Sequence, residues 1–282
     1  MKYGLYLPNF GPFGDARVLA ELARDAERAG WDGFFLWDHV ARPGAPPVVD
    51  PWIALTAIAV ATERIRIGAL VTPLARRRPW KVARETASLD QLSNGRLVFG
   101  AGLGSSGGAE VEWAAFGEET DLVRRARMLD EGLEIVTGLW RGEPFDFEGT
   151  QFRVRGAQFL PKPTQAPRIP VWIAGYWPHR APLRRAARWD GLFALFADGP
   201  PHDAEQLAEA VAFVRAERTS SADFDVVYCA DRDAPVEPYA RAGATWWLRH
   251  LKPEAFGGTW TEPWPLEQMR ARIASGPPRL TD

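Results

Sequence analysis

The feature that most limits what this chain can become is a repeat. A short apolar run, a turn and an amphipathic stretch follow one another from end to end. Residues 3–7, 33–37, 65–71, 97–101, 170–174, 191–195, 224–229 and 245–251 read as strands. Between and after them, 15–29, 51–62, 81–92, 122–140, 180–188, 203–218, 236–242 and 266–275 read as helices. In the first helix Leu19, Leu22, Ala23 and Ala26 share one stripe, Asp15 suits an N-cap and Gly30 a stop. Crossovers between neighbouring parallel strands are right-handed. About eight such units in roughly 250 residues predict a closed (β/α)8 TIM barrel rather than an open sheet.

Residues 142–170 interrupt the rhythm, between the fourth helix and the fifth strand. They alternate apolar and polar residues around Glu148-Gly149 and then become proline-rich, which predicts a hairpin and an extended arm. Cutting the chain there would leave two half-barrels with open edges. A single domain over 1–282 carrying this insertion is therefore expected. Because the insertion follows a helix, its ends should emerge at the end of the barrel away from the chemistry.

Charge and cysteine content narrow the function. With 34 Lys+Arg against 36 Asp+Glu, a net charge of -2 creates no field for nucleic acid or an anionic membrane. Cys229 is the one cysteine, which excludes a disulfide framework and a multi-cysteine zinc site. No apolar run approaches the ~20 residues needed to span a bilayer. The opening MKYGLYLPNFG lacks a secretory h-region, so a cytoplasmic protein is expected.

In such a barrel the chemistry lies where the strands end. Pro8-Asn9-Phe10-Gly11 follows the first strand, Asp38-His39 the second, Thr72-Pro73 the third, and the glycine-rich 102–108 the fourth. Gly175-Tyr176-Trp177-Pro178-His179 follows the fifth, and Arg249-His250 ends the eighth. His39 is the leading candidate, since a histidine at a strand exit can bind a ligand atom and titrate near neutral pH. The alternative is that Asp38 and His39 only fix their loop, and His179 and His250 rank lower. The 102–108 loop can bring backbone N–H groups to an anion or a flat ring. The turn at Gly175–Pro178 suits a phosphate at a helix start, unless it is an ordinary tight turn. Arg76-Arg77-Arg78 either holds an anionic tail or is solvated. Trp37, Trp177 and Trp247 either wall a planar ligand or pack in the core. No metal is expected, because no H-x-H, H-E-x-x-H or paired Cys/His set occurs. No G-x-S-x-G elbow occurs, and Lys2, Lys81, Lys162 and Lys252 are ill-placed for a Schiff base.

The segments GLYLPNFG, AERAGWDGFFLWDHV, TERIRIGALVTPLARRRP, ETASLDQLSNGRLVFGAGLG, RMLDEGLEIVTGLWRGEPFDFEG and IPVWIAGYWPHRAPLRRAARWDGLF resemble, in order and spacing, the bacterial luciferase-like family of flavin- or deazaflavin-dependent oxidoreductases. They cover nearly everything from Lys2 to about Phe196, while the last third is only generically barrel-like. The resemblance implies FMN or coenzyme F420 at the strand ends, a small organic substrate and a homodimer. It implies that His39 approaches the ring system, as the catalytic residue. Leu70, Val71 and Thr72 would back one ring face, with a non-proline cis peptide near Leu70-Val71. Gly175, Tyr176 and Trp177 would hold the phosphate, and Asn9, Gly102, Gly104 and Ser105 would complete the cofactor site. One departure stands out: F420-dependent dehydrogenases of the family commonly carry a glutamate where this chain has Ser105, and Glu110 and Glu112 would need a different loop path to replace it. Two outcomes follow, a monooxygenase or F420-dependent hydride-transfer enzyme, and alternatively a non-catalytic flavin carrier on the same barrel. A different barrel enzyme, such as an aldolase or metal hydrolase, ranks third.

Overall fold

The structure, a computed structural model, describes residues 1–44, 46–104, 109–197, 203–231 and 235–278. The strands are β1 (Lys2–Leu7), β2 (Gly33–Leu36), β3 (Arg66–Ala69), β4 (Thr72–Pro73) and β5 (Phe99–Gly102), then β6 (Phe145–Glu148) and β7 (Arg153–Ala157), then β8 (Val171–Trp177), β9 (Gly191–Phe196), β10 (Asp225–Ala230) and β11 (Trp246–His250). Nine of them form one parallel sheet in the order β3-β2-β1-β11-β10-β9-β8-β5-β4. A parallel bridge from Ile67 to Leu97 joins its two ends. β3 and β4 are pieces of one stave, separated by the cis peptide Leu70-Val71, so the nine strands make the eight staves of a (β/α)8 barrel.

Helices α1 (Ala16–Arg28), α2 (Pro51–Ala61), α3 (Pro79–Leu92), α4 (Ala109–Glu112), α5 (Leu122–Trp140), α6 (Arg180–Ala186), α7 (Ala204–Glu217), α8 (Glu237–Arg241) and α9 (Leu266–Ala274) complete the chain. Aspartates start four of the long ones. Asp15, Asp50, Asp121 and Asp203 each accept a backbone N–H of the first turn, which satisfies donors that have no partner within the helix. None of the described helices is long and apolar enough to cross a membrane.

The barrel is filled at its lower end. Phe35, Val98, Trp172, Phe193, Val227, Trp246 and Leu248 point inward and pack together. The rings of Phe35, Trp172 and Trp246 lie 5.3–5.7 Å apart, tilted or edge-on. Room for them comes from glycines: a Cβ on Gly33 would sit 2.5 Å from Phe35, and one on Gly191 2.5 Å from Trp172. A second, larger core lies between the staves and the helices.

The hairpin β6–β7 is antiparallel. Glu131 of α5 accepts three backbone N–H groups across its turn, from Thr150, Gln151 and Phe152. The arm beyond it runs beside α3, where Arg84 donates to the Leu160 carbonyl and Gln91 to that of Lys162. Gln165 then donates to Leu97 O, at the lower end of the barrel.

Candidate active site

Period-two alternation decides which side chains face the mouth. Tyr6, Ala174, Leu195 and Cys229 pack on top of the inward plug, and Trp37 and His250 contact Tyr6 with ring centroids 5.9 and 4.9 Å away. Trp247 has the opposite parity, lies in the outer core and does not face the mouth. Trp177 also faces outward, its Nε1 donating to Glu209 at 3.2 Å and its ring beside Phe213. The core-packing alternative therefore describes Trp177 and Trp247, while Trp37 lines the mouth.

His39 is buried just beyond β2, held by Asn9 and Glu112. Asn9, fully buried after β1, donates from Nδ2 to the His39 carbonyl at 2.8 Å and to Val49 O at 2.7 Å, and its Oδ1 accepts the His39 N–H at 3.2 Å. The Asn9 amide thus bonds backbone. Glu112, at the end of α4 and 1% exposed, meets His39 Nδ1 with Oε2 at 2.7 Å. Its Oε1 accepts from Val40 N at 2.9 Å and lies 3.5 Å from Arg76 Nη1. Burial alone would push the Glu112 carboxyl up, but the bonds from His39 and Val40 and the Arg76 charge hold it below its ordinary value. An ionised carboxylate only accepts, so His39 donates through Nδ1 and Nε2 remains as its working nitrogen.

Asp38 does not pair with His39. Its carboxylate has no exposed surface and is met by Arg76 Nη2 at 3.0 Å and by Arg77 Nη2 at 2.7 Å. A buried charge requires such compensation. Two members of the arginine run are thereby committed, and only Arg78 stands exposed. Arg76 and Arg77 are therefore held on Asp38, while Arg78 lies in solvent beside the Trp80 ring.

The remaining predicted residues fall on the opposite wall. Gly100 and Gly102 let the Leu70-Val71 segment lie directly on β5, since a Cβ on Gly102 would sit 2.6 Å from Val71 Cγ2. Thr72 is fully buried, and its Oγ1 has no partner among the described residues. Gly104, at φ +78°, gives its carbonyl to Arg125 Nη2 at 3.3 Å, and the Arg125 guanidinium lies 3.6 Å from the Trp113 ring. Gly175 is buried with its hydrogen toward Leu183 and Leu192, Tyr176 is half exposed at the mouth, and His179 caps α6 in solvent. Ser105 lies outside the described residues.

Sequence reasoning missed the Glu112 partnership, because adjacency along the chain says nothing about a contact 73 residues away. It also missed Trp260 and Trp264, whose rings cover Phe10 at 5.5 and 5.9 Å. Their spacing in a tryptophan-rich stretch after the last strand was the available signal.

Comparison with known proteins places this architecture. The chain is 34% identical over 248 residues to an F420-dependent glucose-6-phosphate dehydrogenase of Rhodococcus erythropolis, covering 84% of this chain and 67% of that one. Among solved structures, a monooxygenase from Streptomyces bottropensis matches with a TM-score of 0.68 at 25% identity, over 86% of this chain and 75% of its own. The F420-dependent tetrahydromethanopterin reductase of Methanopyrus kandleri shares the fold, with a TM-score of 0.74 at 16% identity over 97% and 96% of the two chains. The family model for luciferase-like monooxygenases matches residues 1–249, and the chain belongs to that family.

Proposed function

We propose that this protein is a flavin- or deazaflavin-dependent oxidoreductase acting on a small organic substrate, with His39 as its acid/base residue. The observation that carries this reading is the buried His39–Glu112 pair at the mouth, 2.7 Å apart and braced by Asn9 and Arg76. The names of the relatives support it, one an F420-dependent dehydrogenase and one a monooxygenase. The opposite wall fits a flat ring: Leu70, Val71, Gly102 and Ala174 present an apolar face, and the Thr72 hydroxyl is a buried polar atom without a partner among the described residues. FMN or F420 held there supplies the electron or hydride transfer. The protein positions the reactants, while the aromatic residues at the mouth exclude water. His39 gives or takes a proton at Nε2, and the Glu112 carboxylate orients its ring through Nδ1. Because Glu112 brings a carboxylate to the mouth despite Ser105, the motive for a non-catalytic carrier weakens.

Fluorescence titration of the purified protein with FMN and with F420 tests this reading. Saturable binding of one of them is expected, and binding of neither overturns it.

The same proposal includes a homodimer in the cytoplasm. Helix α2, PWIALTAIAVA, carries no charged residue, yet Ile53 is 63% and Val60 72% exposed on its outer side. An uncharged apolar helix face of this kind suits a partner surface. Sedimentation should give a dimer for the native protein and a monomer for Val60→Asp; a native monomer removes the dimer.

A further inference from the structure

A second histidine–carboxylate pair stands on the other side of Trp37. His250 ends β11 on its inward row and is 9% exposed. Its Nδ1 lies 2.7 Å from Asp231 Oδ1, and Lys252 Nζ donates to Asp231 Oδ2 at 2.9 Å. Burial would raise the Asp231 carboxyl, but the His250 and Lys252 bonds and charges hold it well below the usual carboxylate range. Asp231 is therefore ionised and can only accept, which fixes the hydrogen of His250 on Nδ1. The other nitrogen, Nε2, is buried and has no partner among the described residues. The ring stacks on Tyr6 at 4.9 Å and lies 5.4 Å from Trp37, which is itself 5.4 Å from His39. Tyr6 cannot satisfy Nε2, because its hydroxyl donates to Leu70 O at 2.5 Å.

A buried acceptor without a donor is costly, and a donor brought by a ligand removes that cost. The surroundings say what kind of ligand. Trp37 lies against the histidine, and Phe10 and Trp260 pack on Trp37 in turn, so the neighbourhood is aromatic. The charged groups nearest the histidine are engaged: Lys252 on Asp231, and Arg249 on the carbonyls of Ala230 and Ala255. We propose that the β1–β11 side of the mouth is a substrate subsite, in which His250 Nε2 accepts a hydrogen bond from the hydroxyl of a neutral molecule with an apolar or aromatic body. A sugar phosphate does not suit it. This rests on the oxidoreductase reading only in calling the bound molecule a substrate.

Benzyl alcohol, toluene and benzoate are the probes, each titrated into protein labelled with nitrogen-15 in its histidine rings. Benzyl alcohol should bind saturably, move the His250 Nε2 resonance and bind about tenfold more tightly than toluene, the worth of one hydrogen bond. His250→Phe keeps the ring and burial and should bring the alcohol down to the toluene level without weakening toluene. Acidification should weaken the alcohol alone, and only below the ordinary histidine range. Burial, Lys252 and Arg249 disfavour the charged imidazole more than Asp231 favours it, and the neighbouring Tyr6 and Cys229 are neutral there. Equal binding of alcohol and toluene, preference for benzoate, or no saturable binding of any probe overturns the subsite. Asp231→Asn, which unlocks the tautomer without altering the pocket's bulk, should reduce the alcohol preference; an unchanged preference also counts against it. Titration of His250→Phe with FMN and F420 reads the cofactor site separately, so loss of one conclusion is distinguishable from loss of the other.

Discussion

Replacing His39 by alanine is expected to lower turnover by about 10²–10⁴-fold, the usual contribution of one positioned acid/base group. Far-UV circular dichroism should stay unchanged, because the fold keeps the His39 backbone bonds to Asn9. Turnover is followed by the absorbance change of FMN or F420, whichever binds. Glu112→Gln should cost less, because an amide oxygen still accepts from Nδ1 and keeps the ring oriented, through a weaker bond than a carboxylate makes. The order of the two losses is the diagnostic part. If Glu112→Gln were as damaging as His39→Ala, the carboxylate would itself be handling the proton, and unchanged turnover in His39→Ala would remove the histidine from the mechanism.

The largest expected loss of stability lies far from the mouth, at Arg96. Its guanidinium is buried below β5 and makes five bonds: Nε to Ser93 O at 2.7 Å, Nη1 to Thr62 Oγ1 at 2.9 Å and Ile65 O at 3.1 Å, and Nη2 to Ala59 O at 2.7 Å and Thr62 O at 3.0 Å. Two of these acceptors are carbonyls at the C-terminus of α2, the end that a cation favours. Arg96→Met keeps much of the volume but leaves buried acceptors without donors. A loss of about 3–5 kcal/mol is expected, with a fall in Tm of roughly 10 °C. Arg28→Met is the control, since that side chain is 73% exposed and its 3.8 Å pairing with Asp25 is a surface ion pair worth little. Urea unfolding of both variants decides the matter: equal midpoints would mean that the Arg96 bonds are replaced by water at no cost.

The architecture was legible because it rests on periodicity. Leu19, Leu22, Ala23 and Ala26 do lie on the buried side of α1, and the eight apolar runs are the eight staves. Position at a strand exit also singled out His39. The partners of that residue were not legible, because Glu112 reaches it through tertiary folding of the segment between β5 and α5, and Asp38 turned instead to Arg76 and Arg77. Burial made the difference: a carboxylate with no exposed surface captures guanidinium groups that a charge count assigns to solvent. Parity would have sorted the tryptophans. Trp246 shares the inward row of Leu248 and His250, so Trp247 must face the helices. His250 ranked low in sequence because its Nε2 is distinguished only by having no partner among the described residues, which depends on the neighbours that folding brings.

The plug of Phe35, Trp172 and Trp246 has a consequence for traffic. A barrel stoppered at one end receives molecules from the other, where Trp37 and Trp260 lie ring against ring, 5.8 Å apart. With the lower end filled, whatever binds inside the staves rests on this plug, so enlarging the cavity means trimming Trp172 or Trp246 at the cost of the packing that closes the barrel floor.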